Sequence, residues 1–441
     1  MHPYLEQRLA LFPITTHIEP AGDYERLAIA GCDLADLAGR HGTPLYVYDQ
    51  ATMEAAVQGY RQALAAYPGP SGITYAAKAF FCLAMAQWVR DHDLWVECMG
   101  AGEIAVAVAG AVPRTRIVVH GVNKMDSDLD AAIAYAGTIV VDNVMELKRL
   151  APRAGSAALP NLWLRVRPGL AVETHAFTQT GQVDSKFGMS RAEAIEAVAL
   201  CRRHGLPLTG LHFHQGSHFH DPAPIGPAVE TVLDLVATLH TEAGWLPQVI
   251  CPGGGWGVPY HEDDLPHPPV RDYVEYVSRS VAAGCERRGL PLLHLQLEPG
   301  RSLVAQAGVS LYRVGAVKET AHRHWLLLDG GLCDNPRPAL YGARYSALPV
   351  SRPGRPPAAD TWLAGPYCES SDVLIDELPL PDIEPGELIA VPVSGAYQLS
   401  MGSNYNGARR PAVLWLKDGQ ARVIQERETV EELMRRDRPL Y

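Results

Sequence analysis

Eight short apolar runs recur between residues 72 and 301, and each is followed by a stretch with helical patterning. They read "GITYAAKA" (72–79), "LWVECM" (94–99), "RIVVHG" (116–121), "TIVVDN" (138–143), "LWLRVRP" (162–168), "TGLHFHQGS" (209–217), "QVICPGGG" (248–255) and "HLQLEPGR" (294–301). Short runs rich in β-branched residues form strands, and the alanine-rich or amphipathic stretches between them form helices. Strand and helix alternating in this way give parallel strands covered on both faces, which is why the runs are apolar throughout. The pattern predicts a closed (β/α)8 barrel of the TIM type, with chemistry at the carboxyl ends of its strands. An open doubly wound sheet is the alternative architecture.

The texture differs on either side. Residues 1–46 hold a strand ("RLAIAG"), a helix opened by Asp33 and closed by Gly42, and the start of a second strand, "PLYVYD". After residue 310 short strands alternate with Pro, Gly and Asp turns ("LYRVGAV", "HWLLLDGG", "TWLAGPYC", "ELIAVPVSG", "AVLWLKDGQARVI"), and no helical period returns until the last dozen or so residues. Ser346–Asp360, with "LPVSRPGRPP", reads as a loop. The expectation is a barrel over 47–310 and an all-β sandwich or β-barrel domain built from 1–46 and 311–441.

The 441 residues are enough for two or more domains. A formal net charge of -11 argues against nucleic acid or an anionic membrane as the main partner, since both need a basic surface. No stretch reaches the length of an apolar membrane span, and "MHPYLEQRLALFP" lacks the pattern of a secretory signal. Eight cysteines, at 32, 82, 98, 201, 251, 285, 333 and 368, show neither paired nor zinc-ribbon spacing. A cytoplasmic protein acting on small molecules is expected, with seven of the cysteines as small buried residues and Cys368 as the exception.

The first run delivers one lysine, Lys78, to its carboxyl end. A lysine amine in a partly desolvated pocket can form a Schiff base with an aldehyde such as pyridoxal phosphate. That cofactor needs a phosphate cradle, a carboxylate for its ring nitrogen and something flat against its face. "CPGGGWG" closes the seventh run, and Gly253, Gly254 and Gly255 allow backbone N–H groups to approach an anion; the plain alternative is a turn. "LEPGRS" closes the eighth and sets Glu298 and Arg301 across Pro299-Gly300: a carboxylate for a ring nitrogen and a guanidinium for phosphate or a carboxylate, or else a rim salt bridge. "HFHQGSHFH" closes the sixth. Its His212, His214, His218 and His220 have the look of a metal site, as in an amidohydrolase-type barrel, but such barrels carry their HxH on the first strand with the lysine later. Alternation sends His212 and His214 to one side, where an imidazole can lie against an aromatic ring. In "GPYCESSDVL" carboxylates beside Cys368 favour the protonated thiol, suiting a proton donor.

The set "YAAK", "HFHQGS", "GGGWG", "EPGRS", "RPALY", "GPYCESSDV" and "GAYQLSMGSNYN" resembles the alanine racemase-like class of pyridoxal-phosphate decarboxylases, and within it most closely the diaminopimelate decarboxylase family, over nearly the whole chain. The resemblance implies that Lys78 carries pyridoxal 5'-phosphate and His214 stacks on its ring. It implies that Ser217, Gly253, Gly254, Gly255, Gly300 and Arg301 hold the cofactor with Tyr397 from the β domain, and that Glu298 pairs with the pyridine nitrogen. Arg301, Arg337, Tyr341, Glu369 and Tyr397 are implied as substrate contacts, and Cys368 as the residue that protonates the α-carbon. Cys368 and Glu369 are implied to reach the partner's site, hence a homodimer with shared active sites. Asp184–Gly188, "DSKFG", resembles the family's flexible loop. No metal is implied.

The expected activity is decarboxylation of meso-2,6-diaminopimelate to L-lysine and carbon dioxide. Arg337 would meet the far carboxylate and Glu369 the far ammonium, a combination that ornithine and lysine lack. The chain departs from the family at "ECMGAGE" (Glu97–Glu103), where an aspartate and a Ser-Gly-Gly-Glu turn are usual, at Ser371 in place of a glycine, and at Arg344-Tyr345 in place of an aromatic-histidine pair. Alternatives are a decarboxylase of the same class acting on ornithine, lysine, arginine or an intermediate of siderophore or antibiotic synthesis, and a non-catalytic pyridoxal-phosphate-binding regulator.

Overall fold

The computed structural model describes residues 3–153, 159–169 and 184–441. It contains two compact units. One comprises Val57–Gly257 and Pro268–Ser302, the other Met1–Ala56, Val258–His267 and Leu303–Tyr441.

In the first unit the eight runs form parallel strands: β1 (Ser71–Ala76), β2 (Trp95–Cys98), β3 (Ile117–Val119), β4 (Thr138–Val141), β5 (Asn161–Arg165), β6 (Leu208–His212), β7 (Val249–Gly253) and β8 (His294–Leu297). They pair in chain order, and β8 returns to β1 with Leu297 opposite Ile73, which closes the barrel. Each strand is shorter than its run because the last residues of the run turn off the ladder into the loop. Lys78, for instance, lies in a 3-10 turn over Ala77–Ala79, just past β1.

The interior is filled rather than open, as in other barrels of this type. Val118, Val140, Trp163 and Cys251 pack as one buried cluster, and Trp95 stacks on Trp163 with ring centroids 6.2 Å apart. Gly210 on β6 makes room for that indole, since a Cβ there would lie 2.6 Å from Trp163 Cδ1. Outside the ring, helices such as Ile225–Ala243 and Val270–Arg287 turn apolar faces inward. The helix Arg191–His204 is opened by Ser190 and Glu193, each side chain bonding the other's backbone N–H.

The second unit is mostly β. Its nine-stranded sheet runs Val373–Leu380, Ala359–Ala364, His324–Leu328, Gly308–Glu319, Leu45–Asp49, Ala412–Lys417 and Gln420–Gln425, with Leu388–Val391 and Leu348–Pro349 pairing off this path. Leu45–Asp49 is buried at every residue and lies between two neighbours, antiparallel to one and parallel to the other. A three-stranded sheet, His17–Ala21, Tyr24–Ile29 and Cys32–Asp33, adds Leu27 and Ile29 to the unit's apolar core beside Val47, Leu311 and Leu414. Buried Arg8 binds Glu262 at 2.7 Å and the Pro379 carbonyl at 2.9 Å, which ties Val258–His267 into this unit. Two local features depart from the sequence reading. Leu348–Pro349, inside the expected loop, pairs with Leu388–Val391, and "RPALY" forms a short helix, Arg337–Tyr341, with Pro338 in its first turn where a missing N–H is harmless. Among the described residues no helix is long and apolar enough to cross a membrane.

Candidate active site

The barrel's titratable side chains sit at or just beyond the carboxyl ends of its strands. After β1, Lys78 directs its Nζ to Glu97 on β2, at 3.1 Å from Oε1 and 3.5 Å from Oε2. The lysine side chain is 50% exposed and Glu97 is 6% exposed, so the carboxylate is the more desolvated of the two partners.

Glu298, at the end of β8, is buried, with one imidazole on each carboxylate oxygen. His120, just past β3, lies 3.1 Å from Oε1, and His212 on β6 lies 2.9 Å from Oε2, both through Nε2. Burial alone would raise the pKa of this carboxyl, but the two histidines outweigh it and hold it well below the usual range. An ionised carboxylate only accepts, so each Nε2 must carry the proton. Burial, more than any charge nearby, lowers the His212 pKa to about 4, so His212 is the neutral tautomer. Among the described residues its Nδ1 has no hydrogen-bond partner, so no group there calls for a proton on that nitrogen.

His214, two residues beyond His212, is likewise pushed well below its ordinary pKa, by burial first and then by the charges of Lys78 and Arg165. A neutral imidazole results. Arg165 ends β5, 4.0 Å from Asp142 Oδ1, and its guanidinium covers the Phe187 ring at 4.5 Å. Asp142 also accepts from the Gly188 N–H at 3.2 Å, so the "DSKFG" segment is fastened to the ends of β4 and β5.

Past β6 and β7 the chain builds a cradle with almost no side chains. Gly253 and Gly255 have φ of 76° and 111°, which other residues adopt only under strain, and a Cβ on Gly254 would lie 2.2 Å from the Glu298 carbonyl. The Tyr273 hydroxyl donates to the Gly254 carbonyl at 2.8 Å and fixes the loop from outside. Facing it, Arg301 donates to Ser217 Oγ at 3.1 Å, and Gly300 lies where a Cβ would come 3.0 Å from Ala76 Cβ. Amine, ionised carboxylate, neutral imidazole and glycine cradle are the four elements pyridoxal phosphate needs.

His120, His212 and Glu298 also have ligand atoms within 4.8 Å of one another, close enough to hold a metal ion. A metal-bound histidine almost always donates through its second nitrogen, and His212 Nδ1 has nothing to donate to among the described residues. The hydrogen-bonded reading therefore fits the three groups better.

The remaining sequence candidates belong to the second unit. Arg337 is 5% exposed, donates to the Tyr345 hydroxyl and covers the Tyr260 ring at 4.3 Å. Tyr397 is half-buried, adds to the electrostatics at Arg337 and has a φ of 61°, an uncommon conformation for a bulky residue. Tyr341 is half-buried at the end of the short helix. Glu369 accepts from the Tyr405 hydroxyl at 2.7 Å. Cys368 is the one exposed cysteine, and the other seven are buried.

Sequence reasoning missed His120, Arg165, Tyr260 and Tyr345 as site residues. The first two end the runs "RIVVHG" and "LWLRVRP", so position at a strand's carboxyl end was a usable signal. Tyr260 carried none, because Arg337 lies 77 positions away, whereas Tyr345, eight positions from Arg337, was visible as a departure from the family but not as a partner.

A family model described as the pyridoxal-dependent decarboxylase, pyridoxal binding domain, matches residues 50–305. Diaminopimelate decarboxylase from Halalkalibacterium halodurans is 38% identical over 420 residues, covering 94% of this chain and 95% of that one. The enzyme of the same name from Actinosynnema pretiosum is 39% identical over 435 residues, covering 97% and 95%. Among solved structures, diaminopimelate decarboxylase from M. jannaschii in complex with L-lysine superposes with a TM-score of 0.88 at 29% identity, covering 97% of this chain and 98% of that one.

Proposed function

We propose, because the chain belongs to the pyridoxal-dependent decarboxylase family and there to its diaminopimelate decarboxylases, that it converts meso-2,6-diaminopimelate to L-lysine and carbon dioxide, a carboxy-lyase step of lysine biosynthesis. The observation that carries the reading furthest is the buried Glu298 carboxylate, kept ionised by His120 and His212 at one mouth of a barrel that also presents Lys78.

Pyridoxal phosphate, when bound, supplies an electron sink for the pair left on the α-carbon as carbon dioxide departs. Lys78 is the amine that holds it, with Glu97 taking up charge at Nζ. Glu298, held ionised, would keep a proton on the ring nitrogen, an anion doing so better than a neutral acid. His214, being neutral, would lie against the ring face without adding charge to it. The Gly253–Gly255 backbone, Gly300, Ser217 and Arg301 would hold the phosphate, joined by Tyr397. For the substrate, Arg337 would donate to the far carboxylate, Glu369 would accept from the far ammonium, and Tyr341 and Arg301 would orient the chain. Arg337 has no carboxylate partner among the described residues, which supports an anionic ligand for it. The Cys368 thiol gives its proton to the α-carbon. The reading includes a homodimer, in which Cys368 and Glu369 serve the partner's site, and a place in the cytoplasm; the exposure of both residues supports the first.

A second reading, a decarboxylase of the same class with another substrate, is favoured by Glu97, Arg344 and Tyr345, which depart from the family pattern. Carbon dioxide release measured side by side on meso-diaminopimelate, lysine, ornithine and arginine tests both. Release from the first alone is the expected result. Activity confined to the other three refutes the main reading, and a protein without a borohydride-sensitive visible band refutes both.

A further inference from the structure

Among the described residues, Arg337 is a buried cation held by neutral groups. Its Nη1 donates to the Tyr345 hydroxyl at 2.5 Å, and its guanidinium carbon lies 4.3 Å from the Tyr260 ring centroid and 5.6 Å from that of Tyr345. The two rings meet edge to face, with centroids 5.3 Å apart and planes at 75°. Tyr260 and Tyr345 are both buried. Burial pushes the Tyr345 phenol up, with Arg337 pulling the other way, so the phenol stays neutral.

Ordinarily a buried guanidinium is neutralised by a carboxylate, because desolvating it alone is expensive. Here stacking and one phenol oxygen replace the carboxylate. The ring contact holds the guanidinium over Tyr260, and the hydrogen bond to Tyr345 anchors one of its nitrogens. A planar fork anchored in this way is a receptor for a carboxylate, which it can meet with two parallel N–H bonds. Tyr345 stands at one of the positions where this chain departs from the family. A histidine in the same place can itself become charged beside Arg337, whereas a phenol cannot do so near neutral pH.

We infer that Tyr260 and Tyr345 form a neutral aromatic cradle that orients Arg337 and so selects amino acids carrying a carboxylate at the end remote from the reacting carbon. Tyr345 is the positioning residue and acts only through Arg337. The inference rests on the substrate proposed above and deepens it.

The test uses the holoenzyme, wild type against Tyr345→Phe, Tyr345→His and Tyr260→Leu, with three readings. These are kcat and KM for meso-diaminopimelate, the inhibition constant of the product L-lysine, which keeps the far carboxylate, and that of cadaverine, which has no carboxylate. Tyr345→Phe removes one oxygen and raises KM and the L-lysine constant about tenfold or more, the size of a lost bond to a charged group. Values of kcat and of the cadaverine constant stay within about twofold. Tyr345→His brings KM back towards wild type, and Tyr260→Leu, which removes the stacking partner, raises the same two constants. An unchanged KM in Tyr345→Phe, or an equal rise for cadaverine, overturns the cradle while leaving the proposed activity intact. Wild-type protein that does not decarboxylate meso-diaminopimelate overturns the activity itself.

Discussion

His212 makes a measurable demand on the stability of this protein in acid. Its ordinary pKa of 6.5 falls to about 4 in the fold, chiefly because the ring is buried. The unfolded chain therefore takes up a proton as pH falls through about 6.5, while the folded chain resists until about 4. Protonation in that window favours the unfolded state, so stability is lost as pH falls. Spread over the 2.5 pH units between 6.5 and about 4, the loss from this one ring is about 3 kcal/mol. His212→Gln isolates the effect, since its amide can still donate to Glu298 but cannot titrate. Urea unfolding followed by tryptophan fluorescence, for both proteins at pH values from 7 to 4, provides the comparison. Wild type should lose about 3 kcal/mol more than the variant, with nearly all the difference below pH 6.5. Other groups titrate in the same range, His214 among them, but they are common to both proteins and cancel. Parallel curves would refute the argument, because they would mean that His212 is protonated in the fold or is not desolvated.

His120→Ala removes one of the two donors from Glu298, and a bond to a charged group contributes roughly 1.5 to 3 kcal/mol. The affinity of the stripped protein for pyridoxal phosphate, titrated by fluorescence, should weaken about tenfold or more, and an unchanged affinity would detach His120 from the cofactor site. Gly254→Ala sets a Cβ at 2.2 Å from the Glu298 carbonyl, so the loop must move. That variant should reconstitute poorly with pyridoxal phosphate while keeping its far-ultraviolet circular dichroism, and normal reconstitution would mean the loop does not hold phosphate. A Cys368→Ala chain mixed with a Lys78→Ala chain should regain part of the lost decarboxylation if each site draws on two chains. Mixed dimers that form and stay inactive would count against shared sites.

The barrel was legible because its signal is local. Each strand announces itself within a few residues, and eight repetitions leave few ways to close the sheet. Lys78, His214, Glu298 and the glycines at 253–255 were legible for the same reason, since each stands at the end of a run where the fold puts chemistry. The exchange of Glu97 for the family's aspartate was visible as a departure, but its pairing with Lys78 was not.

What the chain determines by itself is thus the order of its elements and the kinds of groups it carries to one mouth of the barrel, both written in short-range periodicity and in residues next to turns. Which groups touch was decided only by tertiary closure. His120 and Glu298 are separated by 178 positions in the chain and meet because β3 and β8 belong to one ring. Arg337 lies 77 residues after Tyr260, and they stack because Val258–His267 folds with the second unit rather than with the strand that precedes it. Burial was decided at the same step. A carboxylate's charge and an imidazole's proton depend on the water removed from around them, and no local pattern of residues records how much water the complete fold excludes.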